Sequence, residues 1–201
     1  MKEKIIKKAS DLFLNLGFKS VTMDDIAQEM GISKKTIYAY FKTKTLLVKA
    51  VTELLFDDIT CGIDTIREKD KNPIEEMFAI KVFVLEHLKN EKVSPQYQLQ
   101  KYYPEIHKSL SQKHFAKMHD CTLTNLKKGV EMGLFRAEID IQFISRMYFV
   151  GMNGIKDEIL FPINQFPKVR LFEDYLDYHL RGIVTAEGLE ILKKNNNNHT
   201  N

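Results

Sequence analysis

The sequence predicts an all-α protein in which a small N-terminal head of three helices precedes a larger helical domain. Apolar residues recur at intervals of three and four through its long segments, which is the spacing of one helix face. Runs that alternate between apolar and polar residues, as half-buried strands do, are missing from the sequence. Its 201 residues suffice for a small domain attached to a larger one, and 44% hydrophobic with 28% charged residues is typical of globular proteins.

The head starts with an amphipathic helix and continues into two short helices joined by a glycine turn. The apolar face of the first helix consists of Ile5, Ile6, Ala9, Leu12, Phe13 and Leu16, and Gly17 ends this helix. Thr22 is a good N-cap for the second helix, because its hydroxyl can accept a hydrogen bond from a free amide of the first turn. Gly31 stands at the place for a left-handed residue, and Ser33 caps the third helix. Residues 22–41 therefore predict a helix-turn-helix.

Positive charge is concentrated in this head. Residues 1–50 contain ten Lys and Arg residues against five Asp and Glu residues, whereas residues 51–201 contain twenty against twenty-two. Lys34 and Lys35 also open the third helix, although acidic residues are usual beside the positive end of a helix dipole. Both features indicate that this end of the chain meets an anionic partner such as the phosphates of DNA.

The helix-turn-helix resembles the DNA-binding motif of the tetracycline-repressor (TetR) family of bacterial transcription regulators. The matching residues are Ala9, Phe13, Gly17, Thr22, Ile26, Ala27, Gly31, Ser33, Tyr38, Phe41, Lys44 and Leu47. The resemblance implies an all-helical homodimer whose second domain binds a small molecule and controls the affinity for DNA. We therefore predict a helix-turn-helix DNA-binding domain over residues 1–47 and a ligand-binding and dimerisation domain over residues 48–193. Residues 194–201 form a polar, low-complexity end for which we expect disorder.

The candidate DNA contacts surround the start of the third helix. Lys34, Lys35 and Thr36 stand where a recognition helix reaches base edges, and Tyr38 follows one turn later, within reach of a thymine methyl group or the backbone. By resemblance, Thr22, Ser33, Tyr40 and Lys44 contact phosphates, which set the register of the protein on DNA. Core packing is the alternative for Tyr38 and Tyr40, and one of these rings is expected to be partly buried. Many family members have glycine where this chain has Lys35, a departure that bears on which operator is read.

Capping signals divide the rest of the chain into further helices. Thr43 caps a helix that should reach about residue 69, and Asn72 with Pro73 starts one that should last to about residue 92. Ser94 with Pro95 starts a short helix ending near residue 103, and Pro104 opens one ending near residue 132, roughly at its glycine cap. Asp140 caps a helix to about residue 160. The last helices are predicted over residues 168–181 and after residue 185.

A ligand cavity in the second domain is implied by the resemblance, and its polar and aromatic residues are candidates for the lining. A drug-sized pocket is mostly apolar, with a few polar groups that orient the ligand. Ordinary core packing is the commoner role for any single one of these side chains. The candidates are Phe78, Phe83, His87, Tyr97, Tyr102, Tyr103, Phe115, Met118 and His119.

The last two long helices are the candidate dimer interface, because in the family they pair with those of a second subunit. Both helices carry ample apolar surface. The candidates are Phe143, Met147, Val150 and Met152 on one helix and Leu171, Phe172, Tyr175 and Leu176 on the other.

We therefore predict a ligand-responsive DNA-binding transcriptional regulator without enzymatic activity, cofactor or resident metal. It is expected to be a repressor that a small apolar or aromatic molecule releases from a palindromic operator. The sequence has no apolar run that could span a bilayer and no signal-peptide core, and its two cysteines make no disulfide framework, so a cytoplasmic location is expected.

Two alternatives remain open at this stage. His114, Met118 and Cys121 follow one another at i, i+4 and i+7 on one helix face, as in a metal or redox sensor. A buried structural thiol is the commoner role for such a cysteine. A small-molecule-binding enzyme or carrier belongs to another class, and the lack of a GxSxG, HExxH or phosphate-loop motif disfavours it.

Overall fold

A computed structural model describes residues 1–88 and 95–199 of the chain. Within these ranges no strand is present, and one isolated bridge joins Phe135 and Val184. The all-α prediction is confirmed. The helices are α1 Lys2–Leu16, α2 Met23–Met30, α3 Lys34–Tyr40, α4 Lys44–Arg67, α5 Pro73–Leu88, α6 Pro95–Tyr102, α7 Pro104–Glu131, α8 Ile141–Gly154, α9 Lys168–Arg181 and α10 Ala186–His199.

Most predicted helix starts agree with the structure because they rest on local capping. The predicted end of α5 near residue 92 and the cap at Ser94 lie outside the described residues. The helix after Asp140, in contrast, ends at Gly154 instead of near residue 160. Asp157 Oδ1 accepts a hydrogen bond from the backbone N–H of Ile159 at 2.8 Å, and Pro162 follows, so local side-chain bonding and a proline replace the helix.

Residues 194–199, for which disorder is expected from composition, continue α10 in the structure. Leu192 is completely buried and anchors the helix. Beyond it, Asn195 Nδ2 donates to the carbonyl of Ile191 at 2.9 Å, and Asn196 Nδ2 donates to Asp177 Oδ1 of α9 at 2.6 Å. The asparagine amides thus find partners that composition alone does not indicate. Residues 200 and 201 lie outside the described residues.

The chain packs into two compact units, the first formed by Met1–Gly62 with Glu86–His114 and the second by Ile63–Leu85 with Phe115–Asn201. The helices α4, α5 and α7 have residues in both units. This division by packing differs from the predicted division by function at residues 47 and 48. The first unit contains the predicted DNA-binding domain together with α6.

The core of the first unit joins the head helices to α6. The rings of Phe13 and Phe18 stack with centroids 5.1 Å apart, and Leu99 of α6 is 4% exposed in the same cluster. The remaining buried members are Ile5, Ala9, Val21, Met23, Ile26, Ala27, Ile37, Phe41, Leu47, Val48 and Val51. The three-helix head therefore shares its core with α4 and α6.

The core of the second unit is built where α5, α7, α9 and α10 meet. A Cβ on Gly129 would come 2.0 Å from the ring of Phe135, so α7 needs a glycine there to let this ring pack. The buried cluster consists of Ile74, Met77, Phe78, Leu126, Leu134, Phe135, Leu176, Leu180, Ile183 and Leu192. Among the described residues no helix combines the length and low charge needed to span a membrane.

Candidate nucleic-acid interface

A capping box holds the start of α2. The hydroxyl of Thr22 accepts a hydrogen bond from the backbone N–H of Asp25 at 3.2 Å, and Asp25 Oδ2 accepts one from the backbone N–H of Thr22 at 2.7 Å. These bonds from Thr22 hold the pKa of the Asp25 carboxyl below its usual value. Gly31 then ends α2 with φ of 63°, the left-handed conformation that glycine adopts without strain.

The recognition helix α3 is short and is oriented by its buried face. Ser33 caps it, since its Oγ accepts from the backbone N–H of Thr36 at 3.1 Å. Ile37 is completely buried and Phe41 is 4% exposed, so both side chains belong to the core of the head. Tyr38 and Tyr40 are 40% and 46% exposed, so neither ring belongs to the core. The start of α3 and both tyrosines are therefore left on the surface.

The two lysines at the start of α3 differ in their surroundings. Lys34 Nζ lies 2.6 Å from Asp24 Oδ2 of α2, and this hydrogen bond raises the lysine's pKa. Lys35 is exposed, and no described residue forms an ion pair with it. Of these two lysines, Lys35 is therefore the one whose charge no described carboxylate neutralises.

Lys44 at the start of α4 has a structural partner in addition to its predicted phosphate. Its Nζ donates to the backbone carbonyl of Lys19 at 3.1 Å and lies 5.9 Å from the centre of the Phe13 ring. Partial burial lowers the pKa of Lys44, although the nearby Asp25 opposes this shift. The side chain thus ties α4 to the α1–α2 turn that leads into Thr22.

The predicted pocket residues come from both packing units. His87, Tyr97, Tyr102 and Tyr103 belong to the first unit, whereas Phe78, Phe83, Phe115, Met118 and His119 belong to the second. Phe78 is 4% exposed in the core of the second unit.

Within the second unit, the structure brings two of these residues together with two that the prediction missed. Phe115 stacks on His119 with ring centroids 5.3 Å apart, and the ring of Phe149 meets Phe115 edge-on at 5.0 Å. Ser145 Oγ lies 2.9 Å from His119 Nδ1 and is completely buried. A serine within the apolar stripe of α8 is the sequence signal that would have found this site.

The predicted dimer residues divide into exposed and buried sets. On α8, Phe143, Met147 and Val150 are 57%, 45% and 58% exposed. On α9, Phe172 and Leu176 are 4% and 2% exposed, so both side chains are buried within their own chain. Their apolar surface already serves the fold of the subunit.

The remaining candidates on these helices are less exposed than Phe143. Met152, Leu171 and Tyr175 are half-buried, and Tyr175 Oη donates to the carbonyl oxygen of Met147 at 3.1 Å across α8 and α9. The prediction missed the large apolar side chains that are exposed between and on the two helices. These are Ile159, Leu160, Ile163, Phe166, Val169 and Tyr178.

The environment of Cys121 is that of a half-buried thiol. Burial raises its pKa, although Arg67, whose Nη1 lies 3.4 Å from Sγ, and Lys117 oppose the shift. His114 instead stacks on Phe56 at 5.1 Å within the first unit. In the part of the chain that the structure describes, no three His, Cys, Asp or Glu side chains lie close enough to hold a metal.

An all-helical chain that exposes the cationic start of a helix-turn-helix belongs to the DNA-binding transcriptional regulators. A family profile described as "Bacterial regulatory proteins, tetR family" matches residues 5–51, the segment that carries this geometry. Residues 5–51 therefore carry the DNA-binding head of the TetR family, as the resemblance of this segment implies.

One curated protein and two solved structures resemble the chain over nearly its whole length. The HTH-type transcriptional repressor KstR2 of Mycolicibacterium smegmatis is 22% identical over 194 residues, which are 93% of this chain and 92% of that protein. A TetR-family regulator from Agrobacterium tumefaciens is similar with a TM-score of 0.73 at 17% identity, covering 92% of this chain and 97% of that one. The structure of SmeT, the repressor of the Stenotrophomonas maltophilia multidrug efflux pump SmeDEF, is similar with a TM-score of 0.70 at 18% identity. The match covers 92% of this chain and 91% of SmeT.

Proposed function

We propose that this protein is a homodimeric repressor that binds a palindromic operator through α3 and leaves it when a small molecule binds the second unit. The observation that carries this proposal is the orientation of α3. Ile37 and Phe41 are buried, which leaves Lys35, Tyr38 and Tyr40 exposed and available to DNA when α3 enters a major groove. In a dimer the two recognition helices would enter successive major grooves about 34–36 Å apart.

The exposed apolar face of α8 supports the dimer. Phe143, Met147 and Val150 are spaced at i, i+4 and i+7, so they lie on one stripe, and each is more than 40% exposed. Contiguous apolar stripes of this kind mark interaction surfaces of soluble proteins. A two-fold axis at this face would pair the stripe with its own copy.

The cluster of Phe115, His119, Ser145 and Phe149 supports an aromatic or apolar effector. It contains the rings of Phe115 and Phe149, and its polar groups are one hydroxyl and one imidazole. Because His119 Nδ1 faces Ser145, the other ring nitrogen is the group that would meet a polar atom of the effector. An effector releases DNA only if it favours one of two arrangements of the subunit, since tight binding to both would shift nothing. The helices α4 and α7, which have residues in both units, would transmit that preference.

The DNA-binding part is tested by selecting operators from a pool of random duplexes. Wild-type protein should enrich a palindrome, and Lys35→Gly should lose discrimination at one base pair of each half-site, by about 1–3 kcal/mol for a good base contact. The control is Lys49→Ala, which removes another exposed lysine of the first unit and preserves α4, because alanine favours a helix where glycine would destabilise it. Recovery of the same preferred site with Lys35→Gly and wild type would remove Lys35 from base recognition. Failure of the wild type to enrich any duplex would refute operator binding.

The effector part is tested by thermal stability in the presence of small aromatic molecules. A true effector should raise the Tm of the wild type, because it binds only the folded protein, and should lower its affinity for the operator. His119→Leu should weaken molecules that carry a hydrogen-bonding group more than it weakens purely apolar analogues. If His119→Leu weakened the binding of both kinds of molecule equally, His119 would not be the group that contacts the polar end of the effector.

A further inference from the structure

Two lysines of the first unit lie over one aromatic ring outside the helix-turn-helix. Nζ of Lys19, in the α1–α2 turn, is 4.9 Å from the centre of the Tyr102 ring, and Nζ of Lys101 is 5.6 Å from the same centre. Lys101 Nζ also donates to Tyr97 Oη at 3.2 Å. We call Lys19, Tyr97, Lys101 and Tyr102 the α6 cationic strip.

The charges of the strip are not neutralised by described residues. Other lysines of the first unit form ion pairs, namely Lys8 with Glu29 at 2.8 Å, Lys34 with Asp24 at 2.6 Å and Lys113 with Glu53 at 3.6 Å. For Lys19 and Lys101, no carboxylate of residues 1–88 or 95–199 lies within ion-pair distance. An aromatic ring positions an ammonium group without cancelling its charge, so the strip keeps two positive charges in a defined place.

The strip is exposed. Tyr97 and Tyr102 are 58% and 36% exposed, and both lysines are exposed as well. Large exposed aromatic rings beside unpaired cations differ from a solvated row of lysines, because the rings add hydroxyl donors and flat apolar faces. This combination suits a polyanion that has a backbone of phosphates.

The strip is continuous with the predicted phosphate contacts of the head. The backbone carbonyl of Lys19 accepts the hydrogen bond from Lys44 Nζ at 3.1 Å. The backbone N–H of Lys19 donates to Gln98 Oε1 of α6 at 3.3 Å. Thr22 follows only three residues later in the same turn. Lys19 of the strip is therefore a direct neighbour of Thr22 and Lys44, the predicted phosphate contacts.

Packing fixes α6 to this turn. Leu99 is 4% exposed in the core of the head, and a Cβ on Gly17 would come 2.5 Å from Gln98 Nε2, so the helix and the turn approach closely. Gly17 has φ of 90°, a conformation that favours glycine. Lys19 and Lys101 are thus held by packed elements of one unit, not by a loose loop.

We propose that the α6 cationic strip is a second phosphate-binding surface, which contacts the DNA backbone beyond the phosphates held by the helix-turn-helix. This inference rests on the proposed function, since it extends the footprint of the same head on its operator. Lys19 and Lys101 would each neutralise one phosphate, while the Tyr97 and Tyr102 hydroxyls donate to neighbouring phosphate oxygens. These contacts add affinity for any sequence and read no base.

The test is a salt titration of operator affinity with the variant Lys19→Gln/Lys101→Gln. Each lost phosphate contact should reduce the slope of log affinity against log salt by about 0.9, so each subunit should lose roughly two units of slope. Between about 50 and 200 mM salt, one such contact corresponds to roughly a 3.5-fold change in affinity. Lys19→Arg/Lys101→Arg should keep the slope of the wild type.

The matched control is Lys49→Gln/Lys108→Gln, which removes two exposed lysines of the same unit from α4 and α7. Its slope should equal that of the wild type. Ethylation of operator phosphates provides a second measurement. Wild-type binding should be blocked by ethyl groups at phosphates outside those that Thr22 and Lys44 can reach, and the glutamine pair should become insensitive at those positions.

The outcomes separate this inference from the proposed function. A slope for Lys19→Gln/Lys101→Gln equal to that of the wild type would overturn the inference and leave operator binding intact. An equal loss of slope in the Lys49/Lys108 control would also overturn it, because the effect would then be one of net charge. A wild-type protein whose affinity for every duplex ignores salt would refute the proposed function itself.

Discussion

Replacement of Lys44 tests whether one side chain serves both the fold of the head and the binding of DNA. Its Nζ donates to the carbonyl of Lys19 at 3.1 Å and lies 5.9 Å from the centre of the Phe13 ring. A hydrogen bond from a charged donor is worth about 1.5–3 kcal/mol when it is well shielded. Because the site is partly open to solvent, Lys44→Ala should lower the free energy of unfolding by about 1 kcal/mol. For a chain of this size that is a fall of about 2–4 °C in Tm.

The same substitution also removes a predicted phosphate contact. The slope of log affinity against log salt should fall by about 0.9 for each subunit on the operator, and binding to all sequences should weaken alike. Lys44→Met separates the two effects, because it keeps the apolar stem beside Phe13 while it removes the charge. Lys44→Met should reduce the salt slope as much as Lys44→Ala does, but its Tm should fall less.

The assay is fluorescence anisotropy of a labelled operator over about 50 to 200 mM salt, together with thermal unfolding followed by circular dichroism. Lys49→Ala, an exposed lysine further along α4, is the control and should change neither quantity. A fall in Tm with an unchanged slope would mean that Lys44 only holds the α1–α2 turn. A reduced slope with an unchanged Tm would mean that the bond to Lys19 contributes nothing to stability.

Three further predictions concern the second unit. Phe143→Glu should convert the proposed dimer to a monomer in sedimentation and weaken operator binding, whereas Gln142→Glu should change neither. A Phe143→Glu variant that sediments as a dimer would exclude this face of α8 as the interface. Cys121→Ser should bind and leave the operator as the wild type does in the presence of zinc, copper or peroxide, because burial raises the pKa of the thiol. If zinc, copper or peroxide released the wild type from the operator but not Cys121→Ser, Cys121 would be a sensor. Burial lowers the pKa of His179 from 6.5 to about 4, and its Nε2 has no hydrogen-bond partner. Between pH 6.5 and 4, the histidine is protonated in the unfolded chain but neutral in the folded protein. The free energy of unfolding should therefore fall as the pH drops from about 6.5 to 4, by up to about 3 kcal/mol. His179→Leu should flatten that part of the stability profile in urea unfolding at several pH values, and an unchanged profile would assign the loss to other groups.

The sequence predicted the helix-turn-helix in detail because its determinants are local. The caps at Thr22 and Ser33 bond to amides three residues away, and Gly31 is required by its own backbone angle. The spacing of Ile37 and Phe41 likewise identifies the buried face of α3 without knowledge of what covers it. The family could therefore be inferred from fewer than fifty residues.

The sequence alone could not tell which apolar residues of the last helices face the subunit's own core. Phe143 and Phe172 have the same chemistry and both lie on helices, yet Phe143 is 57% exposed and Phe172 is 4% exposed. The difference arises from how α8 and α9 pack with α5, α7 and α10, which involves contacts between residues far apart in the chain. Periodicity identifies an apolar face but not the partner that covers it.

What the sequence by itself determined is the all-helical class, the helix-turn-helix, the excess of positive charge around it and most helix starts. Only the tertiary structure decided that Lys34 is paired with Asp24 while Lys35 is not, and that Phe115 and His119 meet Phe149 and Ser145. It alone placed α6 in the head, where Gln98 bonds to Lys19 across 79 positions of sequence. The physical reason is range: capping and periodicity act within one or two helical turns, whereas pairing and packing join segments whose meeting no local pattern records.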